Sequence, residues 1–452
     1  MPLTRTPLLA ETVRKLVARG AYVNAYKILN RLHPSDIAAI LGDLSEHLRR
    51  DTFNTLYQRN LTLASEALAE LGPERGALIL SGMSAQEISA ILQELDPDDA
   101  ADFVADLPDE LQEQILGAMR EKEASEVEDL LQYPEQTAGR IMSPKVFSLD
   151  EDTTVAEAIQ SLQAAGDLEM VFYIYVVDEH GNLVGVLSLR QLLLKRPETT
   201  LKDIMETDVI RVTTDTDQEE VSQLVASYNV LAVPVVDVQN KLVGVITVDD
   251  VIDVIKEEAT EDMYHLTGLD TDERVFTSPR TSFKKRVPWL VVNLVTAFFA
   301  ALVVSQFEDV IAQFALLAVF MPIVPGMGGN AGNQTLTVMV RGIALGELSW
   351  ANSRKALFKE LLVGLLNGIL IGLLVGAVAF VWKGNPLIGG ALCLAMIGNL
   401  LVAAIMGTLV PLTLRWMKVD PALASSVFVT TATDVTGFLL FLGLGTFFLA
   451  RF

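Results

Sequence analysis

Long apolar stretches fill the last third of this chain, and no other feature restricts its fold more. Hydropathy places five of them, at about 287–305, 311–340, 361–382, 387–414 and 421–449. Each is near or above the ~20 residues that cross a bilayer as a helix. Backbone in lipid must satisfy its own polar groups, so a bundle of helices is expected. The second stretch contains Pro322-Ile323-Val324-Pro325-Gly326-Met327-Gly328-Gly329-Asn330-Ala331-Gly332-Asn333-Gln334-Thr335. Two prolines and four glycines within eleven residues predict a break in the helix there. Irregular backbone at membrane depth is tolerated where protein buries it or water bathes it. Its carbonyls, with Asn330, Asn333 and Gln334, offer neutral oxygens of the kind that build ion sites in broken helices. Close helix packing through small residues is the competing explanation.

Asp434, in Ala432-Thr433-Asp434-Val435-Thr436-Gly437, is the only carboxylate that these boundaries place inside an apolar stretch. A charge at that depth costs about 2.5–3.5 kcal/mol on insertion scales, so such residues usually line an ion path or an aqueous cavity. An Asp held neutral in a packed bundle is the plainer alternative.

The two parts of the chain differ in charge. From Phe283 onward there are six Asp or Glu against eleven Lys or Arg, a net of +5; residues 1–282 hold the other 51 acids and 23 bases, a net of −28. So acidic a soluble part argues against nucleic acid as a partner. Lys284, Lys285 and Arg286 precede the first span, Arg354, Lys355 and Lys359 lie before the third, and Arg415 and Lys418 before the fifth. The opposite loops carry Glu308, Asp309 and Lys383. This bias predicts soluble domains in the cytoplasm and a C-terminus outside. No secretory signal opens the chain, and the first span is expected to target it to the inner membrane. Cys393 is the single cysteine and the four histidines form no HExxH pair, which excludes an intrachain disulfide and a zincin site.

Within the soluble part, residues 1–138 read as short helices, with apolar residues at i, i+3 and i+4. Breaks fall at His33-Pro34, Gly72-Pro73, Asp96-Pro97 and Leu107-Pro108, and proline suits a helix's first turn. An internal repeat follows. Val176-Val177-Asp178 through Val184-Gly185-Val186-Leu187-Ser188 recurs 59 residues later as Val235-Val236-Asp237 through Val243-Gly244-Val245-Ile246-Thr247. Each copy reads as strand, tight turn, strand and helix, and each follows an Ile-Met pair, Ile141-Met142 or Ile204-Met205. The pattern resembles a pair of cystathionine-β-synthase (CBS) domains over 139–256. That likeness implies an adenine nucleotide, ATP among them, with Tyr173 stacking a base and Arg190 meeting a phosphate. In the family a closing Ser/Thr-x-x-Asp often holds the ribose; Thr247 and Asp250 keep it in the second copy, whereas the first has Ser188 and Gln191.

Residues 249–262 form an acidic helix whose like charges at i, i+4 oppose folding by about 0.2–0.5 kcal/mol per pair. A solvated face and a face neutralised by Mg²⁺ or Ca²⁺ on hard oxygen ligands are both open.

The order of acidic helical domain, CBS pair, acidic helix and apolar spans resembles the MgtE family of magnesium channels and transporters. Gly328-Gly329-Asn330-Ala331-Gly332-Asn333-Gln334 and Thr433-Asp434-Val435-Thr436-Gly437 carry the likeness in the membrane part. It implies a multidomain protein: an all-α helical superhelix (1–138), an α/β CBS pair (139–256), a connecting helix (257–282) and an α-helical transmembrane bundle of five spans (283–452). It also implies a homodimer in membrane lipid that is not an enzyme. Asp434 is then the selectivity carboxylate of a Mg²⁺ pore, completed by Gly328, Asn330, Asn333 and Thr430. Cytoplasmic Mg²⁺ closes it through Asp99, Asp102, Asp250, Asp253, Glu258, Glu261, Asp262 and Asp420, the last meeting Glu261. Asn229 stands where the family often has an acidic ligand.

Four other readings compete. A CBS-regulated chloride channel would carry its CBS pair after the membrane domain, and an anion path would not place Asp434 at its centre. An intramembrane protease needs HExxH or a second catalytic Asp. A broader Co²⁺ or Mn²⁺ transporter or exporter would favour softer ligands, of which only Met327 lies near the break. A CBS-regulated metal sensor without transport has no use for an interrupted span.

Overall fold

The computed structural model describes residues 6–165, 171–269, 273, 275, 277–423 and 425–449. It divides into two compact units, Met1–Val254 and Ile255–Phe452.

In the first unit, ten helices among the described residues run from Thr6–Val17 to Glu121–Leu131, each packing on the next but one and some on their immediate neighbours. The breaks lie where proline predicts. Pro34, Pro73 and Pro97 occupy first turns, and Ser84 with Glu87 forms a reciprocal cap. Label Pro97–Ala105 as α1. Apolar faces of the stack share one core with the second CBS copy and Met142: Val221, Val233, Val235, Ile246 and Val251 of that copy, with Met142 from the first, join Ile88, Leu92, Phe103 and Val104.

Each CBS copy has a three-stranded sheet. The first contains β1 (Ser148–Asp150), β2 (Tyr173–Val177) and β3 (Leu183–Ser188); the second contains β4 (Val212–Thr213), β5 (Ala232–Val236) and β6 (Leu242–Thr247). In both, the first strand is parallel to the second and the second antiparallel to the third. The 59-residue offset is preserved pair by pair: Tyr173 faces Ser188 as Ala232 faces Thr247, and the register slips after Val176 as it does after Val235. The Ile-Met pairs explain the strand glycines. A Cβ on Gly185 would collide with Met205, and one on Gly244 would lie 2.5 Å from the Met142 sulfur. Each methionine thus packs on the other copy's third strand, which locks the repeats together.

Helix α2 (Val248–His265) is continuous across residues 256 and 257, so the last CBS helix and the start of the expected connecting helix are one element.

The second unit contains α3 (Pro279–Ser305), two short helices at Glu308–Gln313 and Leu316–Phe320, α4 (Ile323–Ala344), α5 (Ser353–Lys383), α6 (Pro386–Trp416) and α7 (Ser425–Leu449). Among the described residues four helices, α3, α5, α6 and α7, are long and apolar enough to cross a membrane, against the five spans expected. Helix α6 is central and packs on α4, α5 and α7. The α5–α6 contact is a glycine ladder. Cβ atoms added at Gly364, Gly368, Gly372 and Gly376 would lie 2.7–2.9 Å from backbone of α6, the close approach by which membrane helices gain packing contact.

The Pro-Gly segment departs from expectation. It is a regular helix from Ile323 to Ala344, and the interruption lies upstream, before Pro322. Pro325 sits in the first turn, where a missing N–H costs no bond within the helix. The glycines admit neighbours: a Cβ on Gly328 would collide with the Asn399 side chain, and one on Gly332 would lie 2.5 Å from Val429. Packing through small residues therefore accounts for the glycines, as the competing explanation held.

Candidate ion site in the membrane unit and acidic clusters of the soluble domains

Helices α4 and α7 lie side by side and carry every residue expected at the pore. A Cβ on Gly329 would touch Thr430 and Thr433 at 3.9 Å, and Ser426 donates to Oδ1 of Asn333 at 3.2 Å. Fully buried Thr433 donates back to its own helix, at the Val429 and Thr430 carbonyls. Asp434, the next residue, is half-buried, and among the described residues its carboxylate has no hydrogen-bond or ion-pair partner in the chain. Gly328 is buried, Asn330 exposed and Asn333 half-buried. Because α4 is a continuous helix, its carbonyls are directed along the axis. The oxygens left to an ion are side-chain oxygens of Asn330, Asn333 and Gln334, with Asp434.

A second membrane carboxylate escaped the sequence analysis, which began the third span at 361. Glu360 lies eight residues into α5 and is 4% exposed. It accepts from Thr335 Oγ1 at 3.0 Å and from Lys359 Nζ at 2.5 Å. A buried charge that is paired and hydrogen-bonded is structurally accounted for. This contrast separates the two acids: Glu360 is neutralised by its own chain, and Asp434 is not. The adjacent Lys359 was the available sequence signal.

In the soluble unit, a cleft of about 200 Å³ between α1 and the CBS pair is lined by Asp96, Asp98, Asp99, Asp249 and Asp250, with Lys145, Tyr173 and Tyr175. Asp99 and Asp250, both expected, meet here, and Asp98 and Asp249 join them. Burial, then repulsion from Asp250 and neighbouring acids, drives Asp98 well above the ordinary carboxylate range. Asp99 is exposed to the water of the cleft, which it lines beside Asp96, Asp98 and Asp250. Desolvation and the charge of Asp250 raise it to about 7. Desolvation likewise lifts Asp250 to about 6, against the hydrogen bond it accepts from Thr247 Oγ1 at 2.7 Å. Lys145 Nζ bonds Asp96 at 2.7 Å, which is why Asp96, at the helix N-cap, makes no capping bond with its side chain. Asp102 does not line this cleft; it pairs with buried Arg140 at 3.2 Å. Asp253 is exposed on α2.

The second unit has its own acidic group. Half-buried Asp262 is raised to about 6 by desolvation and then by Asp420 and Glu261. Asp420 Oδ2 contacts His265 Nδ1 at 2.6 Å, and Glu261 lies 3.7 Å from the same nitrogen. Asp420 thus meets the helix through His265, with Glu261 one turn away. Glu258 is half-buried on the same helix. Among the described residues no three His, Cys, Asp or Glu side chains are placed to hold a metal by themselves.

A recess beside the first CBS copy is lined by Tyr173, Arg190, Ser188, Gln191 and Glu206. Gln191 caps its helix reciprocally with Ser188 and donates to Glu206 at 3.0 Å. Asn229 ends the Gln218–Tyr228 helix in the left-handed region, φ 53°, a role asparagine fills well.

Fold and site together define a multi-pass membrane protein with a helical-stack and CBS-pair regulatory part and an unpaired carboxylate on a membrane helix. Residues 321–444 match the MgtE divalent cation transporter family, 32–136 the MgtE intracellular N domain, and 138–198 and 201–257 the CBS domain. The magnesium transporter MgtE of Thermus thermophilus is 36% identical over 449 residues, spanning 96% of this chain and 97% of its own. That of Bacillus subtilis is 34% identical over 435 residues, 96% of each. The soluble part of a magnesium transporter matches at 30% identity and TM-score 0.50, covering 56% of this chain and 99% of that structure. The cytosolic domain of the Mg²⁺ channel MgtE in complex with ATP matches at 38% identity and TM-score 0.50, over 54% and 99%. The chain belongs to the MgtE family.

Proposed function

We propose that this chain, as a homodimer in the inner membrane, conducts Mg²⁺ into the cytoplasm and is closed by cytoplasmic Mg²⁺. The observation that carries the reading is Asp434: among the described residues this membrane carboxylate has no partner, while Glu360 is paired within the chain. Mg²⁺ gives up water reluctantly and is usually held by one or two carboxylates with several waters. Two copies of Asp434, with the side-chain oxygens of Asn330, Asn333 and Gln334, suit a hydrated divalent ion, beside Gly328 and Thr430 on the same two helices. Similarity to magnesium transporters over nearly the whole chain supports that ion over Co²⁺ or Mn²⁺. A membrane potential of 100 mV supplies about 4.6 kcal/mol to an inward divalent cation.

Closure follows from the acidic groups. Asp98, Asp99 and Asp250 repel one another across the cleft, with Asp102 and Asp253 on the adjoining surface. Glu258, Glu261, Asp262 and Asp420 form the second group. Mg²⁺ bound preferentially in the closed state would shift the gate by that differential affinity, about 1–3 kcal/mol per site. The recess at Tyr173 and Arg190, and the ATP complex of a relative, support ATP as a ligand of the CBS pair.

The test is Mg²⁺ flux into liposomes, wild type beside Asp434→Ala, with the two sides' Mg²⁺ varied separately. Loss of flux in the variant, and decline of wild-type flux as cytoplasmic-side Mg²⁺ rises, is the expected result. Undiminished flux through Asp434→Ala would place the path elsewhere.

A further inference from the structure

Asn399, midway along α6, is completely buried among apolar side chains. Its Nδ2 donates to the Val324 carbonyl in the first turn of α4 at 2.9 Å. Its Oδ1 lies 3.0 Å from the Thr436 hydroxyl on α7, which also reaches the Ala432 carbonyl at 2.6 Å. Flipping the amide would set its oxygen against the Val324 carbonyl, so the neighbours fix its orientation. The same amide nitrogen fills the space that a side chain at Gly328 would need, and it would lie 2.9 Å from a Cβ at Gly437. One side chain therefore spans the start of the helix bearing Gly328, Asn330 and Asn333 and the helix bearing Thr430 and Asp434, two residues beyond the carboxylate.

The geometry points to Asn399 as a positioning residue for ion selectivity: its amide sets the axial register of α4 against α7, and with it the spacing between Asp434 and the amide oxygens. This rests on the transport reading above. Apolar packing alone would hold the two helices together and leave their sliding weakly restrained. The bond to the Val324 carbonyl, and the contact with the Thr436 hydroxyl, whose single proton is shared with the Ala432 carbonyl, restrain it. Mg²⁺ demands near-ideal octahedral geometry, whereas Ca²⁺ accepts six to eight oxygens at looser distances. A site held within about 0.5 Å discriminates between them, and a looser one does so less.

Full-length protein in liposomes tests this with Mg²⁺ and Ca²⁺ flux measured in parallel for wild type, Asn399→Leu and Thr436→Val. Leucine keeps the branching and heavy-atom count of asparagine with bulkier methyl groups, and valine exchanges the hydroxyl for a methyl group. The expected result is a Mg²⁺-to-Ca²⁺ flux ratio lowered about 10-fold in Asn399→Leu and by a smaller factor in Thr436→Val. A purely packing role would lower both fluxes together, so a wild-type ratio in both variants, at any total flux, overturns the inference. Should Asn399→Leu fail to fold, Thr436→Val decides. Wild-type vesicles without Mg²⁺ flux overturn the transport reading and this inference with it; a selective wild type with unaltered variants overturns the inference alone.

Discussion

Nδ1 of His265, in the last turn of α2, lies 2.6 Å from Oδ2 of Asp420, in the loop before α7. The helix that leaves the CBS pair is thereby tied to the segment leading into the Asp434 helix. Asp262 and Glu261 crowd the same place, and their charges repel that of Asp420. Mg²⁺ there would convert repulsion into a bridge.

Replacing Glu258, Glu261 and Asp262 with Gln, Gln and Asn removes the charges that such a bridge needs. The cytoplasmic Mg²⁺ concentration that halves liposome flux is expected to rise at least ~10-fold, the equivalent of about 1.4 kcal/mol of coupling. Inhibition at the wild-type concentration would show that these residues do not sense the ion.

Lys145 places an ammonium in a cleft of five aspartates. Its pair with Asp96 is partly exposed and worth at most about 1 kcal/mol to folding. Lys145→Met should therefore leave thermal stability nearly unchanged while tightening Mg²⁺ binding several-fold, read as the Mg²⁺ concentration that protects the soluble part of the full-length protein from proteolysis. Weaker protection in the variant would mean that the lysine assists the metal.

Without Mg²⁺, the cleft makes stability depend on pH. Asp99 and Asp250, ordinarily near 3.8, are raised to about 7 and about 6, and Asp98 rises further. A carboxyl raised on folding binds more protons folded than unfolded, so stability is full below its unfolded value and declines as pH climbs through the folded one. In EDTA, the soluble unit should melt at lower temperature at pH 7.5 than at pH 5, with Mg²⁺ closing the difference. A flat melting temperature across that interval would contradict the crowding of these acids.

The membrane unit's glycines make opposite predictions at two positions. A Cβ on Gly407 would lie 2.8 Å from the Gly332 carbonyl and 2.9 Å from Thr335, whereas one on Gly443 meets nothing within 4 Å. Gly407→Ala is expected to destabilise the detergent-solubilised protein by about 1–3 kcal/mol, and Gly443→Ala to be neutral or slightly stabilising. Equal melting temperatures for the two would refute the close α4–α6 contact.

Much of the architecture was legible because it rests on local periodicity. The 59-residue repeat predicted two equivalent strand pairs, and the register repeats residue by residue. The helical stack followed from apolar spacing and first-turn prolines. Asp434 stood out by polarity alone. Pro325 and its glycines were misleading for a definite reason: their helix cost depends on position and partners, and a first-turn proline carries almost none. Glu360 fell one residue outside the third apolar stretch because a hydropathy boundary cannot show that a helix continues past its apolar part.

Composition and periodicity, properties of neighbours along the chain, determined that this protein has an acidic helical stack, a tandem strand-turn-strand repeat that resembles a CBS pair, and an apolar helical bundle carrying an isolated acid. Only the tertiary structure decided which charges find partners. It paired Glu360 with Lys359 and Thr335, Asp102 with Arg140 and Asp420 with His265, and left Asp434 without one among the described residues. It brought Asp98 and Asp99 to Asp250, some 150 residues away, and laid Asn399 between α4 and α7. The energy of a buried polar group depends on the atoms within a few ångströms of it, and in a folded chain most of those atoms come from distant sequence.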